Sequence, residues 1–141
     1  MIASLVGSEM CIRDRCSAPQ YSFKIKSISK ALNNLIKSYK DCYDYSKEVK
    51  TLINSVLENP EFIGGTSSFD TNVMKASKGK IFCKSGAEGV FLFIDIQKEI
   101  SGVIKITDGN ERAIPISILN IFNRSVVSIS FQSIGLFFDV D

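Results

Sequence analysis

Between Ser27 and about Lys40 the apolar residues Ile28, Leu32, Leu35, Ile36 and Tyr39 recur three and four positions apart, with lysines and asparagines between them. An α-helix brings such positions to one face, so the spacing predicts an amphipathic helix with one buried stripe. The same period returns from about Ser46 to Glu58, where Val49, Leu52, Ile53, Val56 and Leu57 form the expected buried face. Ser46 is a candidate cap for that helix, and Pro60, which has no N–H to donate, blocks its continuation. Gly64-Gly65 predicts a loop. Ser67 or Ser68 then offers a cap for a short helix through Asp70 to Ala76, closed by Lys78-Gly79.

From Lys80 onward the period shortens. Lys80 to Lys84, Val90 to Ile96 and Ser101 to Thr107 are β-branched or aromatic runs separated by short polar breaks, which predicts an antiparallel meander. Asp108-Gly109-Asn110 is a turn, and Ile114, Ile118, Leu119 and Phe122 predict a helix that packs back onto the sheet. After Arg124 the chain is apolar without a period. Helices on one side of a small antiparallel sheet make an α+β fold, and neither an internal repeat nor a low-complexity linker interrupts it.

The front of the chain reads differently. Leu5-Val6-Gly7-Ser8-Glu9-Met10-Cys11-Ile12-Arg13-Asp14 resembles translated sequencing-library adapter DNA without a break, and it sustains no period. A signal peptide does not fit, because Glu9, Arg13 and Asp14 occupy the place of its apolar core. The expectation is a foreign segment over residues 1–15, followed by native protein over residues 16–141 that is interrupted at its front. Its tail, 124–141, follows no pattern. Cys11 then carries no native chemistry.

Charge and cysteine usage narrow the function classes. Seventeen Lys and Arg against fifteen Asp and Glu leave a net charge of +2, too small and too evenly spread for a nucleic-acid groove. No run approaches the ~18 apolar residues of a membrane span. Cys16, Cys42 and Cys83 are odd in number and widely spaced, which argues against a disulfide framework and for a reducing, cytoplasmic compartment. The chain has no histidine. Ser-His-Asp and Cys-His catalysis are therefore excluded from it, as is histidine metal ligation, and any general base must be Lys, Asp, Glu or Tyr.

Candidate chemistry concentrates in Lys84-Ser85-Gly86-Ala87-Glu88-Gly89, between a β-rich approach and the apolar strand from Val90. A lysine at a strand end can pass a proton between a nucleophile and a leaving amine if burial beside another cation destabilises its charge. Backbone N–H groups left uncovered by small residues can gather on an oxyanion. The plainer alternative is a solvated lysine followed by a tight turn. Cys83 faces the side of the strand opposite Lys84 and reads as core; Asp70 and Asp108 read as caps or turns.

From Cys16 onward the sequence resembles the L-asparaginase II family, the rhizobial-type class. Cys16-Ser17-Ala18-Pro19 looks like its Asp-Gly-Cys-x-x-Pro segment without the first two residues. Asn59-Pro60-Glu61-Phe62-Ile63-Gly64-Gly65 and Phe69-Asp70-Thr71-Asn72-Val73-Met74 look like its Pro-x-x-x-x-Gly and Asp-Thr-x-x-Met elements. Lys84 to Gly89, with Asp108-Gly109 and Arg112-Ala113, looks like its Lys-x-Gly-Ala-Glu-Gly and Asp-Gly-x-x-Arg-Ala signature. Order and spacing agree over roughly Cys16 to Phe122, and the Gly-Ala-Glu-Gly block is the most specific part.

The resemblance implies a partial serine-β-lactamase-like fold, a short antiparallel sheet with helices packed on it, shared with serine glutaminases. It implies hydrolysis of L-asparagine to L-aspartate and ammonia by serine–lysine dyads, with Lys84 in one of them. By analogy with that fold, Ala87 after Gly86 supplies an oxyanion N–H. Ser85 is a candidate contact for the substrate's carboxylate, and Glu88 for its α-amino group, unless Glu88 pairs with Lys84 or Arg112. Cys16 matches a zinc ligand near the active site, the other ligands lying upstream. The nucleophile also lies upstream, so the chain as given is expected to be an inactive fragment. Its expected partners are L-asparagine and, for the parent, a second copy in a homodimer, with no nucleic acid and no membrane. Two alternatives stay open: a fragment of a glutaminase or other β-lactamase-fold Ser-Lys hydrolase, and a small non-catalytic α+β binding domain.

Overall fold

A computed structural model describes residues 9–13, 19–40 and 45–124 of this chain. Cys16, Cys42 and the tail beyond Arg124 lie outside them. In chain order the elements are β1 (Glu9–Arg13), β2 (Pro19–Ser22), α1 (Ile25–Tyr39), α2 (Ser46–Glu58), α3 (Glu61–Gly64), α4 (Phe69–Ala76), β3 (Ile81–Gly86), β4 (Val90–Asp95), β5 (Ile100–Lys105) and α5 (Ile114–Arg124). A tight helical turn, Glu111–Ala113, leads into α5. β1 and β2 pair antiparallel, in a stretch where the residue pattern predicted no element. Among the described residues no helix is long and apolar enough to cross a membrane.

The predicted meander is a three-stranded antiparallel sheet in the order β3-β4-β5. Cys83 stands opposite Phe93, Lys84 opposite Leu92, and Gly86 opposite Val90. Alternation along each strand sends Ile81, Cys83, Phe91 and Phe93 to one face and Phe82, Leu92 and Ile94 to the other. The first face builds the main core with Val73 and Met74 of α4 and Ile114, Ile118 and Phe122 of α5. The second is covered by Leu32 and Ile36 of α1. Helices therefore cover both faces, not one. The cause is visible in β4, whose Val-Phe-Leu-Phe-Ile run is apolar at every position, as a strand covered on both sides requires. α2 joins the two layers. Val56 belongs to the main core, while Ile53 meets Ile36, Tyr39, Ile94 and Ile96 at a small cleft.

Several predicted boundaries move for local reasons. β3 continues through Ser85 and Gly86. β4 stops at Asp95, because its carboxylate accepts the N–H groups of Gln97 (3.1 Å) and Lys98 (3.0 Å) and turns the chain. Ser46 is the first residue of α2 rather than its cap, a position taken by Tyr45 in left-handed backbone (φ 64°). Leu52 is exposed, since α2 buries a narrower stripe than the spacing allowed. Pro115 sits in the first turn of α5, where a missing N–H costs no helical bond. Ser68 caps α4 by accepting the Thr71 N–H at 3.2 Å, as predicted.

Candidate active site

Among the described residues β3 pairs only with β4, so part of its backbone faces outward at that edge of the sheet. Asp70, in the first turn of α4, meets that edge. Its Oδ2 accepts the Ser85 N–H at 2.8 Å and the Lys84 ammonium at 3.2 Å. Its Oδ1 accepts the Ser85 hydroxyl. Lys84 Nζ also donates to the Ser85 carbonyl at 2.7 Å. The Asp70 side chain is 2% exposed and that of Lys84 42%, so a buried anion holds a half-exposed cation. The N-terminal end of α4 adds a favourable field for the carboxylate.

Thr71, the next residue, holds the preceding loop. Its hydroxyl donates to the Gly65 carbonyl at 2.7 Å, with the Pro60 carbonyl at 3.3 Å, and accepts from Ser68 at 3.0 Å. The crowding requires bare backbone at Gly64, where a Cβ would stand 2.3 Å from Ser68 Oγ. The Pro60–Gly65 and Asp70-Thr71 motifs are thus one local structure.

Beyond Gly86 the chain turns through Ala87, Glu88 and Gly89 into β4. Glu88 and Gly89 are both in left-handed backbone, at φ 57° and 68°. Gly89 is buried against the second turn motif. Its carbonyl accepts the Ile106 N–H at 2.8 Å, and a Cβ there would lie 2.8 Å from Ile106 Cβ and 3.1 Å from the Gly109 carbonyl carbon. Lys105 Nζ ties down the Glu88 carbonyl at 2.5 Å. Arg112 pairs with Asp108 at 3.6 Å, and the Asp108 carboxylate also accepts the Asn110 N–H at 2.9 Å. The Asp108 turn reading holds.

Lys84, Ser85 and Gly86 therefore lie on the edge of β3, with Ala87 and Glu88 exposed in the turn beside them. Three expectations about these residues are corrected. The neighbour of Lys84 is a carboxylate, not a second cation. Glu88 pairs with neither Lys84 nor Arg112, whose partners are Asp70 and Asp108. Ser85 is a strand residue with its hydroxyl engaged, not a free turn serine.

Asp70 is the site residue that sequence reasoning missed. Its sequence position reads as a cap or turn, yet the cap is Ser68. A signal existed: Asp70, Val73 and Met74 stand at i, i+3 and i+4, so an acidic residue falls on the buried stripe of α4.

Cys83 faces away from Lys84, as expected, and is fully buried. Burial, reinforced by the Asp70 charge and partly offset by Lys84, pushes its thiol far above the ordinary range. A thiol held in that state is an inert core group and a poor metal ligand. Among the described residues no three His, Cys, Asp or Glu side chains gather into a metal site. Cys16, for which the resemblance implies a zinc site with its other ligands upstream, lies outside them.

No curated protein matches the chain. The family model described as L-asparaginase II, however, matches residues 2–134, a span that crosses the boundaries drawn at 15 and 124 and contains the whole Asp70–Lys84–Gly89 arrangement. The chain belongs to the L-asparaginase II family, a family of asparaginase-like amidohydrolases.

Proposed function

We propose that this chain carries the Lys84 portion of a serine–lysine site that hydrolyses L-asparagine to L-aspartate and ammonia. The observation that carries the reading is the placement of Lys84. It lies at an open strand edge, half exposed, with its ammonium held by fixed acceptors two residues from the Gly86-Ala87 turn. A proton-transfer group needs such a setting: within reach of solvent and substrate, yet fixed in direction. In this reading the Lys84 ammonium gives a proton to the leaving amide nitrogen, which departs as ammonia, and the proton of the nucleophilic serine goes to a second base outside the described residues. The Ala87 N–H stabilises the oxyanion, and Glu88, exposed at the rim, receives the α-amino group. Ser85 contacts the substrate through atoms other than its proton, which Asp70 holds.

The partner serine comes from chain outside these residues, so the 141-residue protein alone should release no ammonia from asparagine. Ammonia release by purified chain would overturn that part. In a gene carrying the residues upstream of Cys16, Lys84→Ala should lower turnover by about 10²–10⁴, the usual effect of a positioned acid–base group. Turnover near that of the unmodified enzyme would return Lys84 to a structural role.

A further inference from the structure

We propose that Asp70 is a positioning residue for Lys84, fixing the direction in which the ammonium is presented at the edge of β3. The inference rests on the reading of Lys84 as the proton-transfer group. Three observations support it. First, the pleat sends Lys84 toward the α1 side of the sheet, together with Phe82 and Leu92, whereas Asp70 belongs to α4 on the opposite side. The side chain therefore curls round the edge of β3 to reach its partner. A long, flexible lysine in water has no reason to keep that path without a fixed anchor. Second, among the described residues the hydrogen bonds of the Asp70 carboxylate all come from Lys84 and Ser85. One group thus sets both the side chain and the backbone immediately before Gly86. Third, Asp70 is buried while Lys84 is not. A buried carboxylate is costly unless fully hydrogen-bonded, and among the described residues its compensation comes from this one segment.

Asp70 Oδ2 and the Ser85 carbonyl occupy two of the three N–H donors of the ammonium, leaving one for a reacting group. Losing Asp70 would let Lys84 rotate into solvent, where no direction is preferred.

Competitive acetylation of the intact 141-residue chain tests this without turnover. Trace acetic anhydride reacts with free amine, and peptide mass spectrometry reads Lys84 against the exposed Lys30 and Lys80. In Asp70→Asn, which keeps the shape and removes the charge, acetylation at Lys84 should rise about two- to fivefold relative to those references, the range expected for a partly exposed pair. A general loss of structure would raise all lysines alike. An unchanged Lys84 ratio in a cooperatively folded variant overturns the proposal. Should the variant not fold, amide hydrogen exchange on the unmodified chain decides. The Ser85 N–H should be protected like the β3–β4 ladder amides, because Asp70 accepts it; free exchange overturns the proposal. The two readings separate cleanly. Full activity in Lys84→Ala would remove the proton-transfer role and leave the positioning contact standing, and an unchanged acetylation ratio would do the reverse.

Discussion

Replacing Gly89 by alanine tests whether the Gly-Ala-Glu-Gly turn is packed as described, and Gly79 supplies the control. Both glycines have left-handed backbone, at φ 68° and 74°. A Cβ in that region costs about 1–2 kcal/mol at either position. Their surroundings differ. Nothing lies within 4 Å of a Cβ built on Gly79, whereas one on Gly89 meets Ile106 Cβ at 2.8 Å and the Gly109 carbonyl carbon at 3.1 Å. Neither neighbour is the end of a flexible side chain, so the turn itself must shift. Overpacking of this kind typically adds about 1–3 kcal/mol. Gly79→Ala should therefore lose about 1–2 kcal/mol and Gly89→Ala about 2–5 kcal/mol, against a total stability of roughly 5–15 kcal/mol for a small domain. With a urea slope of about 1.5 kcal/mol per molar, the midpoint falls by roughly 1 M in the control and by about 1.5–3 M at Gly89. Urea unfolding followed by circular dichroism and by tyrosine fluorescence measures both, and coincident curves justify the comparison. Equal midpoints for the two variants would refute the contact between the turns.

Thr71→Val keeps the shape of the side chain but removes the hydroxyl that holds the Gly65 carbonyl, and should cost about 1–3 kcal/mol in the same urea assay; Thr71→Ser, which keeps the hydroxyl, should recover most of the loss. The Cys83 peptide should resist iodoacetamide in native chain at pH 8 and label fully in denaturant, so native labelling would contradict its burial. Because the folded thiol holds its proton far above the unfolded value of about 8.5, the unfolded chain alone ionises there as pH rises. Folding stability should therefore decline from about pH 8.5 upward and be unaffected below it, and Cys83→Ala should flatten that alkaline decline; an identical decline in both proteins removes Cys83 as its source.

What could be read from the residues depended on how local the cause was. α2 ends at Glu58 because Pro60 cannot continue it, and α4 starts at Phe69 because Ser68 supplies an oxygen to its first turn. Both causes lie within three residues of the boundary. Asp95 is also local, but its carboxylate ends β4 only because it points along the chain to Gln97 and Lys98, which composition alone does not tell. The second helical layer is non-local. Nothing within Ile25–Tyr39 says which face of the sheet α1 takes; the uninterrupted apolar run of β4 carries that information. Leu52 illustrates the converse. It stands four residues before the buried Val56, on the stripe that the spacing predicts, yet it is exposed.

The candidate site was legible in its parts and not in its joints. Four motifs stand far apart in the chain: Pro60–Gly65, Ser68–Thr71, Lys84–Gly89 and Asp108–Arg112. In space they form one continuous line of contacts. Thr71 ties the first to the second through the Gly65 carbonyl. Asp70 ties the second to the third through Lys84 and Ser85. Gly89 ties the third to the fourth by packing on Ile106 and Gly109. Each joint uses a property that spacing does not express: a hydroxyl aimed backward, a buried carboxylate at a strand edge, a missing Cβ. A loosened joint should therefore disturb Lys84 in proportion to its nearness along this line. Thr71 lies beside Asp70, whereas Gly89 reaches Lys84 only through the Glu88–Gly86 backbone. Lys84 acetylation in Thr71→Val should thus move further from the unmodified value than in Gly89→Ala, even where the two variants lose similar stability. The reverse order would mean that Lys84 is held from the turn side, not from α4.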